Sequence, residues 1–247
     1  MISSLAANHA SNQRKLTTLA ATETSRLVVP QRDRSSLGVL VKVLAALVGQ
    51  YNRASASLAA DYYEAERDAA DVRSPLRTPL ADPLPDEQVT RALGWATRDL
   101  ADDYVDLDEV LGRVEGTTTR MTLAGARDTI TAAVDRDPRA RGYTRIPLPD
   151  ACAFCAMLGL RVIGKNGRVQ GVYKSEDTAL FASNGDKYHD YCRCTAQVIF
   201  AGQDYTPPDY IQAWADLYRD STSVASGKDK LPAFRAALTE HRGEHAH

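Results

Sequence analysis

A chain of 247 residues, 44% hydrophobic and 25% charged, carries enough apolar material for one large domain or two modest ones. Its net charge of −2 argues against a protein that coats nucleic acid by bulk electrostatics. The most apolar run, Leu37 to Val48, is interrupted by Lys42 and too short to span a bilayer, so no membrane association is expected.

The first residues lack the basic start and apolar core of a secretory signal, which predicts synthesis and folding in the cytoplasm. Residues 1–27 are rich in Ala, Ser, Thr, Asn and Gln, with Leu5, Leu16, Leu19 and Leu27 as the larger apolar positions. They read as a weak helix that needs a partner, broken by Pro30 and the charged Gln31–Arg34 cluster. Ser35 or Ser36 then caps a long helix expected to run to about Val72, about 50 Å in length. Its stripe is Leu37, Leu40, Leu44, Leu47, Tyr51, Ala54 and Leu58, widened by Val41, Val48 and Tyr62. A broad apolar face of that length implies helical neighbours.

Four prolines between Ser74 and Pro85 make an extended connector. A helix from Asp86 follows, with Val89, Leu93, Ala96, Leu100 and Tyr104 on one side. Another runs from about Asp108 to Val134, carrying Val110, Leu111, Val114, Met121, Ile130 and Val134. Gly116 and the three threonines behind it are expected to kink or interrupt it. Charge is uneven here. Asp82 to Glu115 holds ten acidic and three basic residues, whereas Gly116 to Leu148 holds six basic and three acidic. Arg136, Arg139, Arg141 and Arg145 cluster in that second stretch, either as a solvated face or as a contact for DNA phosphates or an acidic partner.

Character changes at Asp137-Pro138. Gly142 to Pro147 alternates like a strand, the segment from Cys152 enters a short helical turn through Met157 and Leu158, and Thr195 to Phe200 reads as another strand. Leu160–Ile163 and Arg168–Tyr173 bracket Gly164-Lys-Asn-Gly167, a hairpin sequence. After Pro207-Pro208 come an amphipathic helix with Ile211, Trp214, Leu217 and Tyr218, a linker, and a last helix near Pro232 with Phe234 and Leu238. His241, His245 and His247 read as surface residues. The expected class is therefore α+β: a helical region over 1–136 with its Pro-rich connector at 74–85, a small β-rich unit over 137–202, and C-terminal helices and tail over 203–247.

All four cysteines fall in the small unit. Cys152 and Cys155 form a C-x-x-C, and His189, Cys192 and Cys194 form an H-x-x-C-x-C. Two close pairs of soft ligands separated by a loop are what a tetrahedral zinc site needs, and a metal would compensate for a small core. Cys152, Cys155, His189 and either Cys192 or Cys194 are the candidate zinc ligands, five residues for four positions. The C-x-C pair would need a sharp turn for both sulfurs to reach one ion. Buried thiols with a hydrogen-bonded histidine, or disulfides, are the other readings of the same residues. A cysteine hydrolase could be drawn from Cys152 or Cys155 with His189, oriented by Asp190 or Asp186, but a thiol inside a C-x-x-C is better explained as a ligand. A serine enzyme from Ser175, Glu176 and His189 lacks any G-x-S-x-G. Catalysis is therefore not the leading reading, and no catalytic residue is assigned.

Asp150-Ala-Cys-Ala-Phe-Cys155-Ala-Met-Leu, followed by Lys187-Tyr-His-Asp-Tyr-Cys192-Arg-Cys194, resembles the phage Mu F-like minor head proteins of tailed phages, particularly those of actinobacterial phages. The resemblance covers roughly residues 140–200. It implies a virion protein of the head interior near the portal, with the portal and major capsid proteins as partners. The expected role is minor capsid or head morphogenesis protein. The resemblance also brings two alternatives, a capsid maturation protease and a portal or DNA adaptor for genome packaging or ejection.

Overall fold

A computed structural model of the chain describes residues 2–30, 34–102, 104–160 and 190–244. Within them lie seven α-helices and one two-stranded antiparallel sheet, a mainly helical α+β fold as expected. Helix α1 spans Ser4–Val28, α2 Leu37–Ala69, α3 Asp86–Ala96 and α4 Leu107–Arg136. Strand β1, Ala140–Ile146, precedes α5, Ala153–Gly159; β2 is Thr195–Phe200. Helices α6, Asp209–Ser221, and α7, Lys230–Glu244, complete the order.

Local chemistry sets several of these boundaries. Ser3 accepts from the Ala6 N–H at 2.9 Å and starts α1. Asp106 accepts from the Asp108 and Glu109 N–H groups at 3.0 and 3.2 Å, and those two carboxylates occupy the positive first turn of α4. The proline-rich segment between α2 and α3 is irregular, as its prolines require.

Three long helices, α1, α2 and α4, form the body. At one end Val28, Leu40, Leu44, Val48, Val89, Leu93, Leu100, Val110, Val114 and Met121 make an apolar cluster shared with α3. At the other, Tyr62, Tyr63, Ile130 and Val134 pack with Tyr143, Ile146, Val198 and Phe200, so the sheet lies directly on the long helices. The strands pair in antiparallel register from Ala140↔Phe200 to Ile146↔Thr195, with an irregularity between Ala140 and Gly142. Helices α5, α6 and α7 gather around Ala156, Ile211, Trp214, Phe234 and Leu238.

The structure differs from the sequence expectation at particular points. Helix α3 stops at Ala96; Leu100 is still buried, delivered by turns, but Tyr104 is 99% exposed. Helix α4 runs unbroken through Gly116 and Thr117–Thr119, all of which are buried. Helix α2 ends at Ala69 rather than Val72, and its buried face departs from the expected stripe. Beyond Val48 the buried positions are Asn52, Ser55, Ala56, Ala59, Ala60, Tyr62, Tyr63, Glu66 and Arg67, while Leu47, Tyr51, Ala54 and Leu58 are only half-buried. The reason is close packing. A Cβ on Gly125 of α4 would lie 2.1 Å from the Asn52 carbonyl oxygen, so the helix backbones approach too closely for large side chains. Polar residues that bond across the gap replace them. Asn52 Nδ2 donates to Met121 O at 2.8 Å, and Gln13 and Ser55 exchange two hydrogen bonds at 3.0 and 2.7 Å. The hairpin expected around Gly164–Gly167 lies outside the described residues.

No helix among the described residues is long and apolar enough to cross a membrane.

Candidate metal centre

The loop after β1 turns back at Leu148–Ala151 and enters α5, whose N-cap is Cys152. The Cys152 sulfur accepts from the Cys155 N–H at 3.5 Å, so the C-x-x-C is a helix-capping unit that sets Cys155 one turn in. The partner segment is fastened to α4. Asp190 takes a 2.8 Å ion pair from Arg120 Nε; Tyr191 donates through its hydroxyl to Gly112 O and through its N–H to Gly116 O at 3.5 Å. Arg193 reaches Glu115 at 3.5 Å. Tyr191 has φ +64°, a left-handed backbone that reverses the chain immediately before Cys192.

That placement answers the expectation of a sharp turn between the two cysteines. The turn falls at Asp190–Tyr191 instead, and residues 192–194 lead without another one into β2. In near-extended chain, side chains two residues apart share a face, so both sulfurs can point the same way.

Cys155, Cys192 and Cys194 are buried at 3%, 1% and 3% exposure, and their three sulfurs lie within 4.8 Å of one another. Cys155 Sγ and Cys192 Sγ are 3.5 Å apart, and all four cysteines are thiols. A tetrahedral zinc with Zn–S of about 2.3 Å holds its sulfurs about 3.8 Å apart. The three sulfurs therefore fit one ion with little adjustment. Cys152 is exposed, at the rim of a cavity of about 240 Å³ lined by all four cysteines together with Asp150, Tyr191 and Arg193. His189, Ser175, Glu176 and Asp186 lie outside the described residues.

Electrostatics within the cluster are uneven. Hydrogen bonds from Cys155 and Cys194 hold the Cys192 thiol well below its ordinary range, and the positive charge of Arg127 adds to this against burial. Cys155 is pushed far up by its contacts with Cys152, Cys192 and Cys194 and by burial. For Cys194 the Cys155 hydrogen bond pulls down, but the Cys192 hydrogen bond, burial and the Cys192 charge outweigh it and leave the thiol at about 12. Of the three sulfurs, Cys192 is thus the one its surroundings most favour as a thiolate. A divalent ion would take all three sulfurs as thiolates.

The sequence reading missed Arg127, Arg120, Tyr191 and the role of Gly116. A Cβ on Gly116 would sit 2.8 Å from Asp190 Cβ and 2.9 Å from Tyr191 Cε2, so this glycine is the seat of the cysteine turn rather than a helix breaker. The available signal was Arg127, a charge set between the apolar Leu123 and Ile130 at helical spacing. Of the basic cluster, Arg136, Arg139 and Arg141 are exposed, but Arg145 is 8% exposed within β1 and is not part of a surface patch. Burial of a strand residue is something charge counting along the sequence could not register.

No curated protein and no solved structure matches the chain. A family model described as VG15 protein matches residues 1–221, which includes the three-helix body, the sheet, the cysteine cluster and α6. With nine-tenths of its length so matched, the chain belongs to the VG15 protein family, a family of viral (phage) proteins.

Proposed function

We propose that the protein is a structural component of the phage virion, a minor capsid or head morphogenesis protein that sits in the head interior against the portal and major capsid proteins. Within it the cysteine cluster acts as a zinc fastener. Membership of a phage family and the ordered pair of motifs shared with Mu F-like minor head proteins support the setting. One observation carries the fastener: three buried sulfurs converge from two segments 37 residues apart, and the second of those segments is pinned to α4. Cys155, Cys192 and Cys194 supply three ligands, and the fourth comes from Cys152 at the rim or from His189 of the H-x-x-C. Bound there, zinc supplies a cross-link between α5 and the start of β2.

Two measurements test this reading. Cross-linking and mass spectrometry on intact virions should recover the protein linked to the portal, and its absence from purified virions would end the capsid assignment. Elemental analysis of protein purified without added metal should return about one zinc per chain. His189→Ala and Cys152→Ala, compared for zinc retention, then assign the fourth ligand.

A second reading, contact with packaged DNA, draws on the exposed Arg136, Arg139 and Arg141 at the junction of α4 and β1. Phosphate contacts would give binding that weakens steeply with salt; a flat dependence rules it out. The protease alternative has less behind it. Cys155 is buried, and Asp190, one of the two carboxylates considered for orienting His189, is engaged by Arg120 at 2.8 Å.

A further inference from the structure

Arg127 projects from α4 at 4% exposure, between the buried Leu123 and Ile130 on the same helix. A guanidinium in such a place is costly unless its charge and donors are met. Four of its hydrogen bonds go to the Cys192–Cys194 segment. Nε donates to Cys194 O at 3.2 Å, and Nη2 donates to Cys192 O at 2.7 Å, to Cys194 O at 3.0 Å and to Cys192 Sγ at 3.4 Å. Two carbonyls two residues apart are thereby turned to one planar, rigid group, which leaves the intervening backbone a single arrangement. In that arrangement both cysteine sulfurs are buried beside Cys155.

The geometry points to Arg127 as the positioning residue of the metal centre: it fixes the Cys192–Cys194 backbone so that both sulfurs face Cys155, and it donates an N–H···S hydrogen bond that offsets the charge of a thiolate ligand. This role rests on reading the cluster as a site for a soft divalent cation of the zinc class. Binding releases each thiol proton to solvent and leaves a thiolate-rich ion beside a fixed positive charge. The centre is thus built across the fold: its ligands lie after residue 150, and the group that aims two of them belongs to the helical body.

The same face of α4 supplies an internal control. Arg120 also ties the cysteine turn to α4, but through the Asp190 carboxylate at 2.8 Å rather than through a cysteine, and its side chain is 22% exposed. Loss of Arg120 should loosen the turn without altering the electron donation of Cys192.

The experiment uses Co²⁺ as the probe on the full chain, with affinity from competition titration and the sulfur-to-cobalt charge-transfer band from absorption spectra. Arg127→Met should bind Co²⁺ about 10–100-fold more weakly, the loss typical of residues that orient metal ligands, and its charge-transfer band should move to lower energy as the thiolate loses its hydrogen bond. Arg127→Lys should fall between, its charge kept but its fork lost. Arg120→Ala should stay within about 3-fold of wild type with an unshifted band, as expected for a partly exposed ion pair. Wild-type affinity in Arg127→Met overturns the role. So does weaker binding with an unshifted band, because a packing defect alone gives that. If Arg127→Met loses its helical far-UV signal, Arg127→Lys decides by the same two readouts. Failure of the wild-type chain to bind Co²⁺ or Zn²⁺ overturns the metal reading itself, and the role of Arg127 falls with it.

Discussion

The two halves of α2 are held by different physics. From Leu37 to Val48 its buried face is Leu40, Val41, Leu44 and Val48, packed on α3 and the first half of α4. From Asn52 to Arg67 the buried face carries Asn52, Ser55, Glu66 and Arg67 among alanines and tyrosines, and it meets α1, the second half of α4 and the sheet. The first half relies on non-directional burial, about 25 cal/mol for each Å² of apolar surface removed from water. The second relies on close backbone approach and on hydrogen bonds that work at one geometry only. Helix α4 shows the same division, with Val110, Val114 and Met121 at one end and Gly125 and Arg127 at the other. The metal centre straddles this division: Gly112, Gly116 and Arg120 hold the cysteine turn, while Cys192 and Cys194 are held by Arg127, on the directional half.

The largest effect is expected where that half buries charge. Arg67 Nε meets Asp137 Oδ2 at 2.7 Å with side-chain exposures of 7% and 1%, and Tyr63 donates to the same oxygen at 3.3 Å. Asp137→Ala strands the guanidinium and should destabilise by about 3–5 kcal/mol in chemical denaturation. In the apolar half, Leu44 is fully buried, and Leu44→Ala should lose about 3 kcal/mol. Leu44→Met should lose less than about 1.5 kcal/mol, because shape there is negotiable. Equal tolerance of conservative changes in both halves would erase the contrast.

A smaller, pH-dependent effect sharpens it. His9 of α1 is 4% exposed and stacks on Tyr62 at 4.4 Å; burial lowers its pKa from 6.5 to about 4, against a smaller opposing effect of the Leu58 backbone. Above pH 6.5 both folded and unfolded forms are neutral and stability is complete; as pH falls toward 4 the unfolded chain takes up the proton first and stability is lost. The loss should reach about 2 kcal/mol near pH 5. His9→Phe keeps the ring stack and removes the titration. Thermal melts at about pH 7.5 and about pH 5 should show the variant losing correspondingly less than wild type; an identical loss would clear His9 of the effect.

The smallest is Gly116→Ala. The new methyl gains up to about 1 kcal/mol of helix propensity yet meets Asp190 and Tyr191 below 3 Å. Global stability should change by no more than about 1 kcal/mol, while zinc retention falls because the cysteine turn is displaced. A variant with undiminished zinc retention would show that α4 does not seat the turn.

Much of the fold is legible from the residues one at a time. The proline connector, the 3–4 spacing of Leu40 and Leu44 and the β-branched run at Thr195–Phe200 each announce a local element, whereas the cap expected from Ser36 makes no side-chain hydrogen bond. The candidate site was legible as a list of soft ligands, and three of its five members do converge. Its supports were not. Gly116 reads as a helix breaker when its neighbours in sequence are all that is known, and as a seat when Tyr191 is placed against it. Asn52 and Ser55 read as surface residues until Met121 and Gln13 supply their partners.

The sequence by itself determined that long helices dominate the first part of the chain, that the chain is α+β, and which sulfurs were available, because periodicity and soft-ligand chemistry act over a few residues. Only the tertiary structure decided which of those sulfurs meet, that the reversal falls at Tyr191, and that Arg127 lies against Cys192. Those facts depend on contacts between residues 37 or more apart in the chain, fixed by how the helices and the cysteine segments pack, and no local pattern encodes that packing.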